Sequence, residues 1–520
     1  MSTRGLLTRP LRRRDFLKLG AGVALGASLP FDAGLGTRLT SAAAAGALRQ
    51  PGSLPFPGRP VGVPQPDLAP ELANIDHIIM VMMENHSFDN YFGMLPWHVG
   101  ARSGQVDGWP SLEADGRPTT TQTDPHGSTF RAFPMPDACQ PLGVSQSWDS
   151  SHLSYDGGAM DGFLRQSSEE AVGYWDETQL PFYYSLASQF PVCDRYFSST
   201  LCQTYPNRVF LIAATAAGLI STDTPPPMVT PPNGHIFQVL DHYGIGWSSY
   251  YTNLPTPGLF YPSIVTSDAS HFVGPHASPN LTAADFQVAC QANALPPVVL
   301  VESDYEFASE ENPQDIQAGQ YFVDLVVQAL LGSPAWSRSL LVFTYDEHGG
   351  YYDHVPPPVA LSPGDGTHPQ VAQGQSTYGD DYTIYGVRVP AVIVSPYAKA
   401  SFVSHTVYDH TSWLATIQRK WNLPALTFRD ANANHLGDCL VASGAPPFAT
   451  PPALASAQVV LPETSFAQCH METGANFPGP VAPPNVPDGS PALLATGAAS
   501  VAAAAWLAKR SRSPAPYDEG

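Results

Sequence analysis

The sequence predicts an α/β fold in which helices flank a central, mostly parallel sheet. Short apolar runs without polar alternation are typical of strands that are buried on both faces. Four such runs occupy residues 75–83, 298–301, 340–345 and 391–394. Segments with helical periodicity lie between them, at residues 206–217, 315–331 and 411–421. Strands that alternate with helices favour an α/β sheet, and the 54 prolines and 43 glycines predict long connecting loops.

Three of the four predicted strands end at acidic residues. The first stops at Glu84-Asn85, the second at Glu302 and the third at Asp346-Glu347. Open α/β sheets bind ligands outside the carboxyl ends of their strands. Carboxylate and amide oxygens there suit a hard divalent cation such as Ca²⁺, Mg²⁺ or Mn²⁺, and oxygen ligands alone do not distinguish these ions. A helix cap or a turn is the alternative interpretation of Glu84-Asn85.

The segment after the third strand, residues 344–356, concentrates chemically active side chains. It holds two carboxylates, two glycines that permit close approach of the backbone, and histidines at positions 348 and 354. Paired carboxylates at one edge repel each other unless a cation lies between them. A cation site is therefore one interpretation of this segment, and a solvated turn is the other.

A third candidate segment begins at Cys202 and leads into an apolar helical run. Pro206 suits the first turn of a helix, which places Thr204 near the helix N-terminus. Free N–H groups at such a terminus bind phosphate. A threonine at this position can also act as a simple helix cap.

The N-terminus carries the pattern of a twin-arginine export signal. Arg12-Arg13-Arg14 precede Phe-Leu-Lys, a weakly apolar stretch covers residues 19–29, and small residues at 42–45 offer a cleavage point. We therefore expect residues 1–45 to be removed after the twin-arginine translocase has carried the folded chain. The expected location is outside the cytoplasm, either secreted or associated with the cell envelope.

The C-terminal tail allows two interpretations. Residues 492–508 are uncharged and are followed by Lys509-Arg510, an arrangement that resembles a weak membrane or cell-wall anchor. A disordered Ala/Pro-rich tail is the alternative.

Charge and cysteine content limit the partners and the redox setting. The net charge of −21 at pH 7 excludes nucleic acid as a partner, because an acidic surface repels phosphates, and it favours zwitterionic over anionic lipid. Six cysteines in an exported chain permit up to three disulfides, whose pairing the sequence does not assign.

Taken together, three blocks of the sequence resemble the bacterial phospholipase C and acid phosphatase phosphoesterase family. The blocks span residues 84–93, 204–208 and 346–358. Further similarity lies at residues 148–163, 302–305 and 408–412, in the family's order from about residue 75 to 440. The resemblance implies an alkaline-phosphatase-like fold and metal-assisted displacement at phosphorus.

The same resemblance implies a role for each matching residue. Thr204 is the expected nucleophile and Asn207 the expected phosphate-binding residue. The expected metal ligands are Glu84, Asn85, Asp346 and Glu347. A metal would lower the pKa of the threonine hydroxyl, and water would then hydrolyse the phosphothreonine. His348, His354 and His152 are candidates for protonating the leaving alcohol, and the sequence does not rank them.

Two positions depart from the family pattern. His86 stands where arginine is usual, and Gln146 stands where histidine is usual. The second departure leaves the acid that completes the reaction open. We expect His86 to lie behind the metal ligands, and Glu302 and Asp304 to lie near the site in roles that the sequence does not define.

These observations divide the chain into five segments and leave three functions to compare. The segments are the signal at 1–45, a Pro/Gly-rich linker at 46–70, the catalytic domain at 71–445, a Pro/Ala-rich extension at 446–490 and the tail at 491–520. Within the catalytic domain, residues 100–180 and 220–295 are expected to be insertions that shape a pocket or a cap. The expected function is that of a phospholipase C releasing diacylglycerol and a phosphorylated headgroup. The alternatives are a broad-specificity acid phosphatase and an inactive surface-anchored binding protein.

Overall fold

The structure is a computed structural model that describes residues 49–52, 69–98, 105–140, 143–222, 230–274, 281–370, 378–460 and 469. The predicted export signal and the C-terminal tail lie outside the described residues, as does most of the linker. In the part of the chain that is described, each helix is too short or too polar to cross a lipid bilayer.

Strands and helices follow one another along the described chain, with runs of consecutive strands at β2 to β4 and at β10 to β12. The strands are β1 His77–Met83, β2 Thr121–Thr123, β3 Thr129–Arg131, β4 Phe133–Pro134, β5 Gly173–Tyr174, β6 Val192–Cys193, β7 Trp247–Tyr251, β8 Phe272–Val273, β9 Val298–Glu302, β10 Ser339–Tyr345, β11 Ala391–Val394 and β12 Val403–Ser404. The helices are α1 Phe88–Phe92, α2 Leu95–His98, α3 Trp148–Tyr155, α4 Pro181–Gln189, α5 Thr204–Ala213, α6 Ile236–Tyr243, α7 Thr256–Phe260, α8 Pro262–Ser267, α9 Leu281–Gln291, α10 Ile316–Leu331, α11 Thr411–Trp421 and α12 Phe428–Asn432.

One eight-stranded sheet forms the centre, in the order β12-β6-β11-β10-β1-β9-β7-β8. Among its described strands, β11 runs antiparallel to both of its neighbours, and the other pairings are parallel. The predicted α/β class with a mostly parallel sheet is therefore confirmed. Two small two-stranded sheets, β2-β3 and β4-β5, lie in the region that was predicted to be the first insertion.

The middle of the sheet sets the geometry of the site. Strands β10, β1 and β9 are adjacent and parallel, and Met83 is level with Tyr345 while Val81 is level with Val301. Their side chains are buried because helices cover both faces, which is why the sequence shows apolar runs without alternation. The carboxyl ends of these three strands consequently meet at one edge of the sheet.

The second predicted insertion is only partly a cap. Residues 247–251 and 272–273 form β7 and β8, which extend the central sheet beyond β9. The prediction missed them because β7 contains Ser248 and Ser249 and sits near the sheet edge, so it lacks the continuous apolar pattern of a central strand. The residues between β7 and β8 still help to form the pocket described below.

The C-terminal extension packs on the catalytic domain as far as Ala457, whose N–H donates to Asp324 Oδ2 (2.9 Å). The Phe448 ring packs against that of Phe190 with 4.6 Å between the ring centroids, and the Phe448 carbonyl accepts a hydrogen bond from Trp336. Cys139 forms a disulfide with Cys469. Two more cysteines lie close together in the core, with 3.6 Å between the Sγ atoms of Cys193 and Cys439.

Candidate active site

The ends of β1 and β10 bring the four predicted metal ligands together. The N–H of Asp346 donates to the carbonyl of Met83 (3.0 Å), and the N–H of Asn85 donates to Asp346 Oδ1 (3.2 Å). Gly349 has φ 64°, and a Cβ there would lie 2.1 Å from the Asn85 carbonyl oxygen. A glycine is thus required for the two strand-end segments to approach this closely, as the sequence suggested.

The carboxylates of this cluster are almost completely buried. Glu84 is 2% exposed, and Asp346 and Glu347 are 0% exposed. Burial raises the pKa of Glu84 to about 7, although the charge of Arg208 acts to lower it. Burial also raises the pKa values of Asp346 and Glu347, and for Glu347 the nearby Asp346 charge adds to the effect. Negative charge is therefore expensive here without a cation.

Arg208 supplies one positive charge to the cluster, and the sequence analysis gave it no role. Its Nε donates to Asp346 Oδ2 (3.0 Å), and its Nη2 lies 3.5 Å from Glu84 Oε1. Nη1 donates to the hydroxyl of Tyr305 (2.7 Å). The guanidinium thus joins the ends of both strands to the loop that follows β9. Arg208 lies in the block 204–208, but which carboxylates it meets depends on the fold.

The residues of this cluster fit a divalent cation. The side-chain oxygen and nitrogen of Asn85 and the Oε1 atom of Glu347 are buried and have no hydrogen-bond partner. Buried polar atoms are normally satisfied. Oxygens of this kind beside several carboxylates form the donor set that Ca²⁺, Mg²⁺ and Mn²⁺ accept.

Thr204 is the first residue of α5 and lies in the wall of a cleft. Glu84, Arg208 and Glu311 line the same cleft. The N-cap position belongs to Gln203, whose side chain makes no capping hydrogen bond. Thr204 therefore follows the cap position, and its side chain borders the carboxylate cluster.

Asn207 holds the loop that precedes α5. Its Nδ2 lies within hydrogen-bond distance of the carbonyls of Thr200 (3.3 Å), Cys202 (2.9 Å) and Gln203 (3.1 Å). Its Oδ1 accepts from the N–H of Thr200 (3.0 Å). The amide is occupied by the loop in this geometry, so its contribution is to fix the backbone before Thr204. Direct binding of phosphate by Asn207, expected from the resemblance, has no support in these contacts.

Two of the three histidines predicted to donate a proton differ in the hydrogen-bond partners of their ring nitrogens. His152 donates from Nδ1 to the Trp148 carbonyl (2.7 Å), and its Nε2 pairs with Asp380. His348 lies beside Glu347, with 3.3 Å between Nδ1 and Oε2, and its buried Nε2 has no partner. His348 is therefore the one of these two with a ring nitrogen that has no hydrogen-bond partner, and its burial lowers its pKa to about 3.

His354, the third candidate, belongs to a separate ionic network. Its Nδ1 lies 2.6 Å from Asp89 Oδ2 and its Nε2 lies 3.1 Å from Asp107 Oδ1. Burial acts to lower the pKa of His354, but the Asp89 charge and the hydrogen bonds to Asp107 and Asp89 raise it to about 10. Both ring nitrogens are thus held by carboxylates, and the imidazolium form persists at neutral pH.

Arg388 is the buried centre of this network. It donates to Asp353 Oδ1 (2.9 Å) and to Asp89 Oδ1 (3.1 Å), and it is 0% exposed. Ligand atoms of Asp89, Asp353 and His354 lie within 4.8 Å of one another, a spacing that could also hold a metal ion. Because Arg388 and the His354 imidazolium together supply two positive charges to Asp89 and Asp353, we interpret the network as ionic pairing that joins α1 to the segment after β10.

Replacing Arg388 by methionine is expected to reduce the free energy of unfolding by about 3–5 kcal/mol, because two buried carboxylates lose their partner. Urea unfolding at neutral pH measures the change. Arg338→Met is the matched control, since Arg338 pairs with Asp76 on the surface and an exposed pair contributes about 1 kcal/mol or less. Equal losses in the two variants would contradict the interpretation.

His86 and Glu302, two of the three residues expected near the site, lie behind the carboxylate cluster. His86 is 0% exposed and stacks between Tyr91 and Tyr351, at ring distances of 3.9 and 5.2 Å. Glu302 accepts hydrogen bonds from the N–H of Thr256 and from the hydroxyl of Tyr305, through which it reaches Arg208.

Asp304 and His410 complete the surroundings. Asp304 accepts a hydrogen bond from Asn253 (2.9 Å) in the loop after β7. His410 donates from Nε2 to the carbonyl of Asp346 (2.6 Å) and so fixes the backbone of that predicted ligand. The sequence resembles the family around His410, but the resemblance gave this histidine no predicted role.

Comparison with known proteins gives consistent results. The sequence matches the phosphoesterase family over residues 75–424. Non-specific phospholipase C3 of Arabidopsis thaliana is 31% identical over 404 residues, which cover 70% of this chain and 72% of that protein. Phospholipase C A of Mycobacterium tuberculosis is 30% identical over 423 residues, which cover 73% of this chain and 79% of that protein. Among solved structures, a protein in the alkaline phosphatase superfamily from Vibrio parahaemolyticus aligns with 57% of this chain and 68% of its own, at a TM-score of 0.32 and 10% identity.

The fold is a mostly parallel α/β sheet, and buried carboxylates gather at the ends of its strands, where such sheets bind their ligands. The chain belongs to the phosphoesterase family, because the match covers most of its length. It is accordingly a hydrolase that acts on phosphoric esters.

Proposed function

We propose that this protein is an exported, metal-dependent phospholipase C that cleaves phospholipids through a phosphothreonine intermediate on Thr204. The observation that carries the proposal is the cleft in which Thr204, Glu84, Arg208 and Glu311 meet. The names of the relatives from Arabidopsis thaliana and Mycobacterium tuberculosis support phospholipase C activity over other phosphoesterase reactions.

In the proposed reaction, the Thr204 hydroxyl oxygen bonds to phosphorus, and the bond from phosphorus to the diacylglycerol oxygen breaks. Water then attacks the phosphothreonine and releases the phosphorylated headgroup and the free threonine. A divalent cation held by Glu84, Asn85, Asp346 and Glu347 would supply Lewis acidity, which lowers the pKa of the hydroxyl and offsets charge at phosphorus.

The surrounding residues orient these groups. Arg208 holds Asp346 and approaches Glu84, so the two strand ends keep their separation. Asn207 fixes the loop that presents Thr204. Because His348 keeps a free ring nitrogen beside Glu347, it is the histidine that we assign to contacting the leaving group.

The lining of the cleft supports a substrate that has both a polar and an apolar part. Besides its polar residues, the cleft is lined by Leu254 and Leu259. The acyl chains would remain in the lipid aggregate while the phosphoester enters the cleft.

Export is supported by the twin-arginine pattern at residues 12–18 and is compatible with the Cys139–Cys469 disulfide, since such bonds persist in oxidising compartments. The proposed location is secreted or cell-envelope associated.

The purified mature protein should be tested with phosphatidylcholine, p-nitrophenyl phosphorylcholine and p-nitrophenyl phosphate, each with and without a chelator. We expect hydrolysis of both diesters, release of diacylglycerol from the lipid, and loss of these activities with the chelator. Activity on the monoester alone would replace the proposal with an acid phosphatase. Absence of hydrolysis with all three substrates after metal reconstitution would favour an inactive binding protein.

A further inference from the structure

A fourth carboxylate, Glu311, lines the cleft beside the predicted metal ligands. It lies in the loop that joins β9 to α10, away from the strand ends that drew attention to the other acids. Glu311 is partly exposed and borders the cleft together with Glu84 and Thr204. Its side chain is hydrogen-bonded to that of Glu84.

The loop is fixed against Glu84 by several hydrogen bonds. The N–H of Glu84 donates to the Ser309 carbonyl (3.0 Å), and the Ser309 hydroxyl donates to Glu84 Oε2 (3.0 Å). The N–H of Glu311 donates to the same hydroxyl (3.3 Å). Gln314 accepts the N–H groups of Ser309 and Glu310 at 2.8 and 3.1 Å. Glu311 is therefore placed beside Glu84 by an ordered scaffold.

The carboxylate of the neighbouring Glu310 accepts hydrogen bonds from several hydroxyl groups. Its Oε2 accepts from the hydroxyls of Tyr91 (2.7 Å) and Tyr345 (2.8 Å), and its Oε1 accepts from that of Tyr183 (2.5 Å). A Cβ on Gly319 would lie 2.1 Å from the Glu310 side chain, so glycine in α10 makes room for it.

Glu310 and Glu311 are adjacent in the loop, but their carboxylates have different partners. Glu310 has φ 72°, a left-handed conformation that is unfavourable for a non-glycine residue. Its carboxylate has phenolic donors, whereas that of Glu311 faces another carboxylate. Two carboxylates held together in this way repel each other unless a proton or a cation is shared between them, and a cation can replace the proton.

We propose that Glu311 is a further oxygen ligand of the divalent cation at this site, acting beside Glu84. The inference rests on the proposed metal dependence of the enzyme. With Glu311, the proposed set of Glu84, Asn85, Asp346 and Glu347 gains a fifth oxygen-bearing side chain, which suits a cation that takes six or more oxygens.

Metal binding by the full chain, stripped of metal with a chelator, tests the inference without relying on activity. Isothermal titration with Mn²⁺, Ca²⁺ and Mg²⁺ should compare the wild type with Glu311→Gln. Glu306→Gln is the matched control, because Glu306 lies in the same loop but is exposed. We expect Glu311→Gln to weaken cation binding about tenfold or more, as loss of a supporting ligand does, and Glu306→Gln to leave it unchanged.

Thermal unfolding separates a ligand from a residue that merely supports the loop. If Glu311 binds the cation, Glu311→Gln should raise the Tm of the metal-free protein, because repulsion from Glu84 is relieved, and should reduce the rise in Tm that added metal causes. Wild-type affinity in Glu311→Gln, or a lower metal-free Tm with a normal metal response, would overturn the inference alone. A wild type that binds none of the three cations would overturn both the inference and the proposed metal dependence.

Discussion

Replacing Thr204 by valine is expected to reduce kcat for phosphodiester hydrolysis by about 10⁴-fold or more, because loss of a nucleophile removes the covalent route. Valine keeps the shape of threonine at the start of α5 and removes only the hydroxyl. Steady-state hydrolysis of p-nitrophenyl phosphorylcholine measures the change. Circular dichroism should match the wild type, because valine fills the same space at the start of α5.

Thr204→Ser provides the matched control at the same position. Serine restores a hydroxyl, so its activity should stand well above that of the valine variant. Acid-quenched wild-type enzyme should also carry a phosphorus-containing adduct on the peptide with Thr204, and the valine variant should not. Activity of the valine variant close to that of the wild type would exclude Thr204 as the nucleophile.

The central strands were predictable because their surroundings leave a simple pattern. Both faces of β1, β9 and β10 are covered, so each reads as a continuous apolar run and its end appears as an abrupt change to acidic residues. The predicted bounds of these strands agree with the observed ones within two residues. Parallel pairing of β10, β1 and β9 then places Glu84, Asp346 and Glu302 at one edge, as strand-end reasoning expects.

Shorter and more polar strands gave no comparable signal. The two-residue strands β6, β8 and β12 are below the length at which periodicity can be recognised, and the serines of β7 hide its membership of the sheet. The antiparallel direction of β11 was also beyond prediction, since an apolar run carries no information on direction.

The site residues that sequence reasoning missed owe their positions to long-range packing. Arg208 meets Asp346 from 138 positions away, and Glu311 meets Glu84 across the β9 to α10 loop. No local spacing marks either residue. His354 illustrates the converse, because a sequence motif cannot show that both ring nitrogens are taken by Asp89 and Asp107. Spacing identified residues capable of proton transfer, and only the fold showed which nitrogens have partners.

Asp346→Asn is expected to lower kcat about 10³-fold or more and to abolish tight cation binding, since a cation site contributes several kcal/mol to stabilisation of phosphoryl-transfer charge. The carboxylate of Asp346 is contacted by both strand-end segments and by Arg208. Its Oδ1 accepts the N–H groups of Asn85 (3.2 Å) and Glu347 (2.7 Å), and its Oδ2 accepts from Arg208 (3.0 Å). Asparagine keeps the size of the side chain but removes its charge.

Metal add-back distinguishes a ligand from a structural aspartate. Wild-type enzyme treated with a chelator should regain activity when a divalent cation is restored, whereas Asp346→Asn should stay inactive at cation concentrations that saturate the wild type. Asp324→Asn is the control, because Asp324 is also buried but accepts a hydrogen bond from the N–H of Ala457 in the C-terminal extension. Its metal response should remain that of the wild type. If Asp346→Asn were fully active, or if the wild type were indifferent to the chelator, the cation would have no place at this cluster, and the burial of Glu84, Asp346 and Glu347 beside a single arginine would need another explanation.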